Sequence, residues 1–526
     1  GGSDAPLDKV TFRIFNGVAG EKDVNTNETR IGKILEDQTG VNFFIEHLVG
    51  DLNTKIGTMV AGGDYPDVII PDAGINQIID AGALIDLTKY LTSDEYPNLK
   101  RVYAPYLNLM VWDDGTIPIL PFSTTVGEPM SDPNINQGAF WIQRRVLEWD
   151  NYPKIKTVDQ YFDLIERYVA AHPNEDLIGF VTLTHDWRFF ATTNVPNHLA
   201  GYPNDGEVMV DMQTHEAKIY AGSEWDYRWW KKLNEINAKG LFDKSSFVDN
   251  YDQYIAKLMS NKVLGFFDYG WQVGTATAAL ADAARQDPSL DGYRYFPLPV
   301  VFDENIKDQY LDPPGWVSNR GMGITVSAKD PDRIMKYLDN LLKEENQILV
   351  KWGVEGETYL VDENGRFYKT QEMVDRETLE FREQYGLTVY DWDWPHYGDG
   401  TLSNGNSANP GYQPEVFQLT LTDKDKEILG KYGVKTYSEM FSKPDERPWY
   451  PAWGYPKEQG SLPDLFEARK KEIQRQYIPE MVLTSPNNFE NVWNKYVEEL
   501  NKLDIAGYEK WFTDQVKATI AKMRGQ

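Results

Sequence analysis

Cysteine is absent from all 526 residues. Disulfides, thiol nucleophiles and cysteine-ligated metals are thereby excluded. Histidine is scarce: His47, His172, His185, His198, His215 and His396 are the only six, and they form neither an HExxH pair nor a tight ligand spacing. There is no GxSxG elbow, no Walker A loop and no GxGxxG following a strand. No apolar run approaches the roughly 18 residues that span a bilayer. Positive charge is also in short supply, with 53 Lys and Arg against 81 Asp and Glu, a net charge of −28. Such a field repels phosphate backbones and anionic lipid, which argues against nucleic acid and membrane surfaces as partners. A glycosidase needs only two carboxylates, so its chemistry stays open on this count.

Aromatic side chains, by contrast, are plentiful: 16 Trp, 31 Tyr and 23 Phe. Several lie where no regular element is expected. "DWDWPHYGDG" (391–400) sets Trp392 and Trp394 among Asp391, Asp393, His396 and Asp399, and "RPWYPAWGYP" (447–456) holds Trp449 and Trp453 between prolines. Neither stretch has helical or strand periodicity. Asp391, Asp393 and His396 of the first could be offered to a metal, but they read more simply as a solvated acidic loop. "DENG" (362–365) lacks the ladder of a calcium loop and reads as a hairpin turn.

A chain this long implies two or more domains. "GGSDAPLDKV" reads as the flexible lead-in of a mature chain. "KVTFRIFNG" (9–17) alternates as a strand that ends at Asn16 and Gly17. Asn25 with Glu28 resembles a capping box for a helix that stops at Gly40. A strand at 41–48, a helix from Leu52 to a pair of glycines and an all-apolar strand "DVII" (67–70) follow. The order β-α-β-α-β predicts a doubly wound α/β sheet, whose ligands bind beyond the carboxyl ends of its strands, here Asn16 and the Pro71-Asp72 loop. Amphipathic helices are expected at 157–172, 224–240 and 333–345, with Trp225 and Trp229 in the core. "VLGFFDYGW" (263–271) predicts a strand running into a short loop at Trp271, and 321–330 another strand. From about 460 the chain reads as helical.

The order of these segments resembles a known family. "TKIGTMVAGGDYPDVII" (54–70), "GALIDLTKYL" (82–91), "AFWIQRRVLEWDNYPKIKTVDQYFDLI" (139–165), "FFDYGW" (266–271), "GITVSAKDPDRIMKYLDNLL" (323–342) and "WGVEGETYLVDENGRF" (352–367) are similar to the extracellular solute-binding proteins of ABC importers, in the sugar-binding group typified by maltose-binding protein. The likeness is greatest to the long lipoproteins of Gram-positive bacteria. It implies an α/β, two-lobed periplasmic-binding-protein-like fold of type II. Each lobe would hold a central, mostly parallel sheet flanked by helices, with an extra helical C-terminal region. Lobe 1 would take 9–123 and 318–375, and lobe 2 124–317 and 376–526, with a hinge near 120–126 and 313–320.

The same resemblance implies an oligosaccharide, expected to derive from plant polysaccharide, held between the lobes without catalysis, cofactor or metal. It implies a monomer that delivers to permease subunits, and a lipid anchor at the surface of the cytoplasmic membrane. By family position Trp271 stacks on sugar, Asp72 bonds hydroxyls and Trp141 opens the second-lobe segment. Asn16 joins the candidate set as a strand end, and His185, Trp187, Arg188, Trp316, Arg320, Trp392, Trp394, Trp449 and Trp453 join it from composition. A flat indole covers the apolar C–H face of a pyranose, while Asp, Asn, His and Arg bind its hydroxyl edge. A glycoside hydrolase using an Asp/Glu pair and a binder of peptides or another solute are the alternatives.

Overall fold

The computed structural model describes residues 8–19, 22–121, 124–312, 320–391, 393–448, 450 and 452–525. The chain divides into two compact units. Unit 1 comprises Gly1–Ser131, Pro314–Thr420 and Ala521–Gln526, and unit 2 comprises Asp132–Pro313 and Leu421–Ile520. The second lobe was expected to take everything after residue 375, yet 376–420 and the last six residues belong to unit 1. The cause is packing. Trp394 is 2 % exposed and meets Phe43, Tyr337 and Tyr390 at ring centroid distances of 5.4, 6.3 and 4.9 Å. The hinge expected near 120–126 and 313–320 falls partly on 122–123 and 313–319, outside the described residues.

Unit 1 is built on a six-stranded sheet in the order Val24–Asn25, Val41–Leu48, Val10–Ala19, Val68–Ile70, Gly321–Ile324, Leu120–Pro121. The three strands of the β-α-β-α-β segment pair in parallel, with the first strand at the centre. Phe15, Leu48, Ile56, Ile69 and Ile78 form a core on one face of this sheet. The helix Arg30–Thr39 is capped by Thr29, whose side chain accepts from Gly32 N–H, and not by Asn25, which caps a separate 3-10 turn. Gly40 and Gly63 end the two helices at φ 73° and 62°, a left-handed conformation that glycine adopts without a Cβ clash. The "DENG" segment is the expected hairpin turn, between Leu360–Val361 and Phe367–Tyr368.

The sheet of unit 2 has the order Tyr295–Leu298, Gly138–Gln143, Val263–Tyr269, Ile178–Val181. Only its last pair is parallel. In unit 1, too, parallel pairing is confined to the central three strands. Both sheets are therefore mixed and not mostly parallel as expected, although the α/β class stands. Phe140, Phe162, Phe180 and Trp229 pack together over the unit 2 sheet. Trp229 and Trp230 are buried, and Trp225 stacks half-buried on Phe302. Helices Leu462–Leu483, Phe489–Asn501 and Ile505–Met523 complete the C-terminal part.

One buried ion cluster ties the later chain to the unit 2 sheet. Arg144 Nη1 lies 2.7 Å from Asp425 Oδ1 and 3.2 Å from Asp291 Oδ1, and Nη2 donates to Tyr437 Oη at 2.7 Å. Burial alone would raise the Asp425 pKa, but Arg144 and Arg294 overcome it and hold the carboxyl at about 2. Among the described residues, no helix is long and apolar enough to cross a membrane.

Candidate functional site

Unit 2 presents an aromatic platform at the carboxyl end of its strand Val263–Tyr269. The helix Gly270–Gln286 starts directly after that strand, so Trp271 lies in its first turn and not on the expected loop. The freed first-turn amides find partners nearby: Gly270 N–H donates to Gln137 O at 3.0 Å and Trp271 N–H to Asn136 O at 3.1 Å. A Cβ on residue 270 would stand 2.0 Å from Ile135 O, so only glycine allows this approach. The result is a fixed backbone beneath an indole that is 49 % exposed.

Beside it stands Trp187, 62 % exposed, on the 3-10 turn Asp186–Phe189. The Trp187 and Trp271 rings are parallel within 1°, with centroids 6.2 Å apart. Phe190 is parallel to both within 14° at 6.0 Å, and Tyr269 extends the group toward the core. The turn is held from several sides. Arg188 lies over Trp187 at 4.7 Å and over Tyr251 at 4.1 Å. Its Nη1 donates to Asp186 Oδ2 at 2.7 Å. Arg475 donates to the carbonyls of Thr184 and Asp186, and His185 Nδ1 accepts from Tyr251 N–H at 3.2 Å. His185 and Arg188 thus support the platform. The contacts that hold them could not be read from sequence, and Phe190, Tyr251 and Tyr269 were missed. "HDWRFF" and "FFDYGW" each carried a signal in their adjoining rings.

Below the platform Asp268 is fully buried. It accepts from Tyr254 Oη at 2.6 Å, from Gln272 Nε2 at 2.9 Å and from its neighbour's amide at 2.7 Å. Burial pushes its pKa up to about 6 against those donors. Trp141 does not join the platform. It is 7 % exposed, stacks on Phe266 and donates from Nε1 to Asp268 O at 3.0 Å, so the expectation of a ligand contact there is corrected to a core role.

Unit 1 has a polar group at the carboxyl ends of its parallel strands. Asn16 Nδ2 donates to Asp393 Oδ2 at 2.7 Å, and Arg320 Nε lies 3.2 Å from Asp72 Oδ1. Strand register sets Asn16 opposite Ile70, two residues before Asp72. Asp72 has φ 48°, a left-handed conformation that aspartate tolerates better than most side chains. Asp393 was not among the expected sugar-binding residues.

The loop holding Asp393 corrects two further expectations. It is not a solvated acidic loop, because Trp394 belongs to the core and His396 is buried with Nδ1–H donating to Trp394 O at 2.7 Å. Asp391 pairs with Lys351 at 3.1 Å. Three candidate metal donors are therefore engaged separately, and among the described residues no group of three or more His, Asp or Glu could hold a metal ion. Trp453 is 55 % exposed on a turn whose backbone packs against Gly206 of unit 2. Trp316, Trp392 and Trp449 lie outside the described residues.

Comparison with known proteins sets these groups in context. Residues 31–352 match the family described as bacterial extracellular solute-binding protein. A fructooligosaccharide ABC transporter substrate-binding protein, FusA of Streptococcus pneumoniae serotype 4, is 24 % identical over 282 residues. That match spans about half of this chain and about half of the relative's length. Among solved structures, FusA in complex with kestose is similar over 97 % of this chain and 99 % of that one, with a TM-score of 0.62 and 20 % identity. An HMO-binding ABC-transporter-associated solute-binding protein from Bifidobacterium longum infantis is similar over the same shares, with a TM-score of 0.63 and 15 % identity. The expected type II solute-binding-protein fold is thereby confirmed.

Proposed function

The chain belongs to the bacterial extracellular solute-binding proteins, and on that premise we propose that it captures an oligosaccharide for an ABC importer. The parallel pair of exposed indoles, Trp187 and Trp271, carries this reading. Two parallel rings that are half or more open to solvent lose apolar hydration when a C–H-rich face covers them. A peptide side chain or an amino acid needs no such pair of exposed rings. A run of sugar rings does, and the nearby Asp186–Arg188 pair offers an acceptor and a donor for hydroxyls at its edge.

The asparagine, carboxylates and guanidinium at the strand ends of unit 1 have the same chemistry without the flat rings. We take them as hydroxyl-binding candidates. Delivery to permease subunits, action as a monomer and retention at the cell surface by a lipid anchor follow from the family reading. Calorimetry of the protein against a panel of oligosaccharides tests the function. Saturable binding that weakens in Trp271→Ala supports it. Shortened products after incubation would point to a glycoside hydrolase instead, and affinity for peptides alone would replace the ligand class.

A further inference from the structure

Each partly exposed arginine of the two candidate sites is already matched to a carboxylate. In unit 2, Arg188 Nη1 donates to Asp186 Oδ2 at 2.7 Å and the Arg188 amide donates to Asp186 Oδ1 at 3.1 Å. His185 Nδ1 lies 3.5 Å from the same carboxylate. In unit 1, Arg320 Nε lies 3.2 Å from Asp72 Oδ1. Both aspartates occupy the left-handed backbone region, at φ 49° and 48°, so each carboxylate is aimed by its own turn.

Three other arginines of unit 2 are engaged too. Arg144 is buried against Asp291, Asp425 and Tyr437. Arg447 Nη1 reaches both carboxylate oxygens of Asp205 at 3.1 and 3.2 Å. Arg475 turns its two terminal nitrogens to the carbonyls of Thr184 and Asp186 and lies over the Phe189 ring at 4.3 Å.

Resting on the proposed function, we infer that Asp186 and Asp72 are specificity determinants that restrict the ligand to uncharged oligosaccharides. A uronate, sialate or sulfate group needs a guanidinium whose charge is not yet answered. To recruit Arg188, an anionic sugar must displace Asp186 and leave that carboxylate beside a second negative charge. Two neutral hydroxyls do the opposite. One donates to the aspartate while its neighbour accepts from the arginine, and the charge of the pair is unchanged. The chain's net charge of −28 adds repulsion of the same sign at longer range.

Calorimetry at low ionic strength, with xylo-, manno-, fructo- and gluco-oligosaccharides as neutral probes and oligogalacturonate and sialyllactose as charged ones, tests this. The parent should bind at least one neutral probe at least tenfold more tightly than either charged one. Asp186→Asn keeps a side chain suited to the left-handed backbone and frees Arg188. In that variant, or in Asp72→Asn, the charged-to-neutral affinity ratio should rise at least tenfold, and the rise should shrink with added salt. A charged probe bound by the parent as tightly as the best neutral one overturns the inference while leaving the proposed function standing. So does a ratio that stays fixed in both variants. No binding of any oligosaccharide of either class overturns the proposed function and the inference with it. If both variants fail to fold, the parent's own preference still decides.

Discussion

Trp187 and Trp271 come from segments 84 positions apart, yet their ring planes agree within 1° at a centroid distance of 6.2 Å. Trp187 is mostly exposed and Trp271 half-exposed, so neither ring is closed in the core. Trp187→Ala and Trp271→Ala should each weaken oligosaccharide binding by about 1–3 kcal/mol, by analogy with base stacking on aromatic side chains. Stability should stay within about 0.5 kcal/mol of the parent, as for other surface substitutions. Calorimetry paired with denaturant unfolding separates the two effects. Unchanged affinity in both variants would remove the platform from the site.

Trp394 should behave in the opposite way. Its ring fills the space between Phe43, Tyr337 and Tyr390. Trp394→Ala should destabilise unit 1 by about 3–5 kcal/mol, the range for truncating a buried tryptophan. Guanidinium unfolding would measure it, and a variant as stable as the parent would return Trp394 to the binding candidates.

Arg144→Met should also be damaging. It leaves Asp291 and Asp425 buried with one guanidinium fewer, and removing one partner of such a cluster costs about 3–5 kcal/mol. The segment around 421–440 should become sensitive to protease, because Asp425 and Tyr437 are held through this arginine. An intact parent-like digestion pattern would contradict the assignment.

Asp226 supplies a pH dependence with a definite sign. Burial raises its pKa to about 7, against donors from Gly222 N–H and Tyr496 Oη. Between the ordinary carboxyl value of about 4 and that raised value, the folded chain keeps a proton that the unfolded chain has released. This contribution is fully present below the ordinary value and declines as pH rises through about 7. Asp226→Asn cannot titrate. The parent should therefore lose stability relative to the variant by about 1.4 kcal/mol per pH unit across that window. Unfolding curves of both proteins from pH 4 to pH 8 check this, and a difference that is flat with pH would refute it.

Much of the fold was legible because its signals are local. Alternation at Val10, Phe12 and Ile14, the helical spacing of Leu52 and Ile56, and the stops at Gly40 and Gly63 depend only on neighbours in the chain. Trp271 was singled out through its likeness to the family, but its setting was not legible. "DYGW" looked like a loop because a strand passing directly into a helix leaves no periodic gap, and the partners of the first-turn amides lie at Asn136 and Gln137. The cap of the first helix was misplaced by four residues, since Asn25 and Thr29 both carry capping chemistry and only the path of the chain selects between them.

The sequence by itself determined the class of the protein: α/β segment order, a large negative charge, no thiol chemistry, and a surplus of aromatic rings. Tertiary structure decided which rings are open and which charges are answered. Trp271 and Trp394 each stand three residues after an aspartate, yet one is half-exposed and the other closed in the core. Asn16 meets Asp393 across 377 positions and Arg144 meets Asp425 across 281. Periodicity and capping act over a few residues. Burial and ion pairing depend on which distant side chain arrives at the same place, and only the folded chain specifies that.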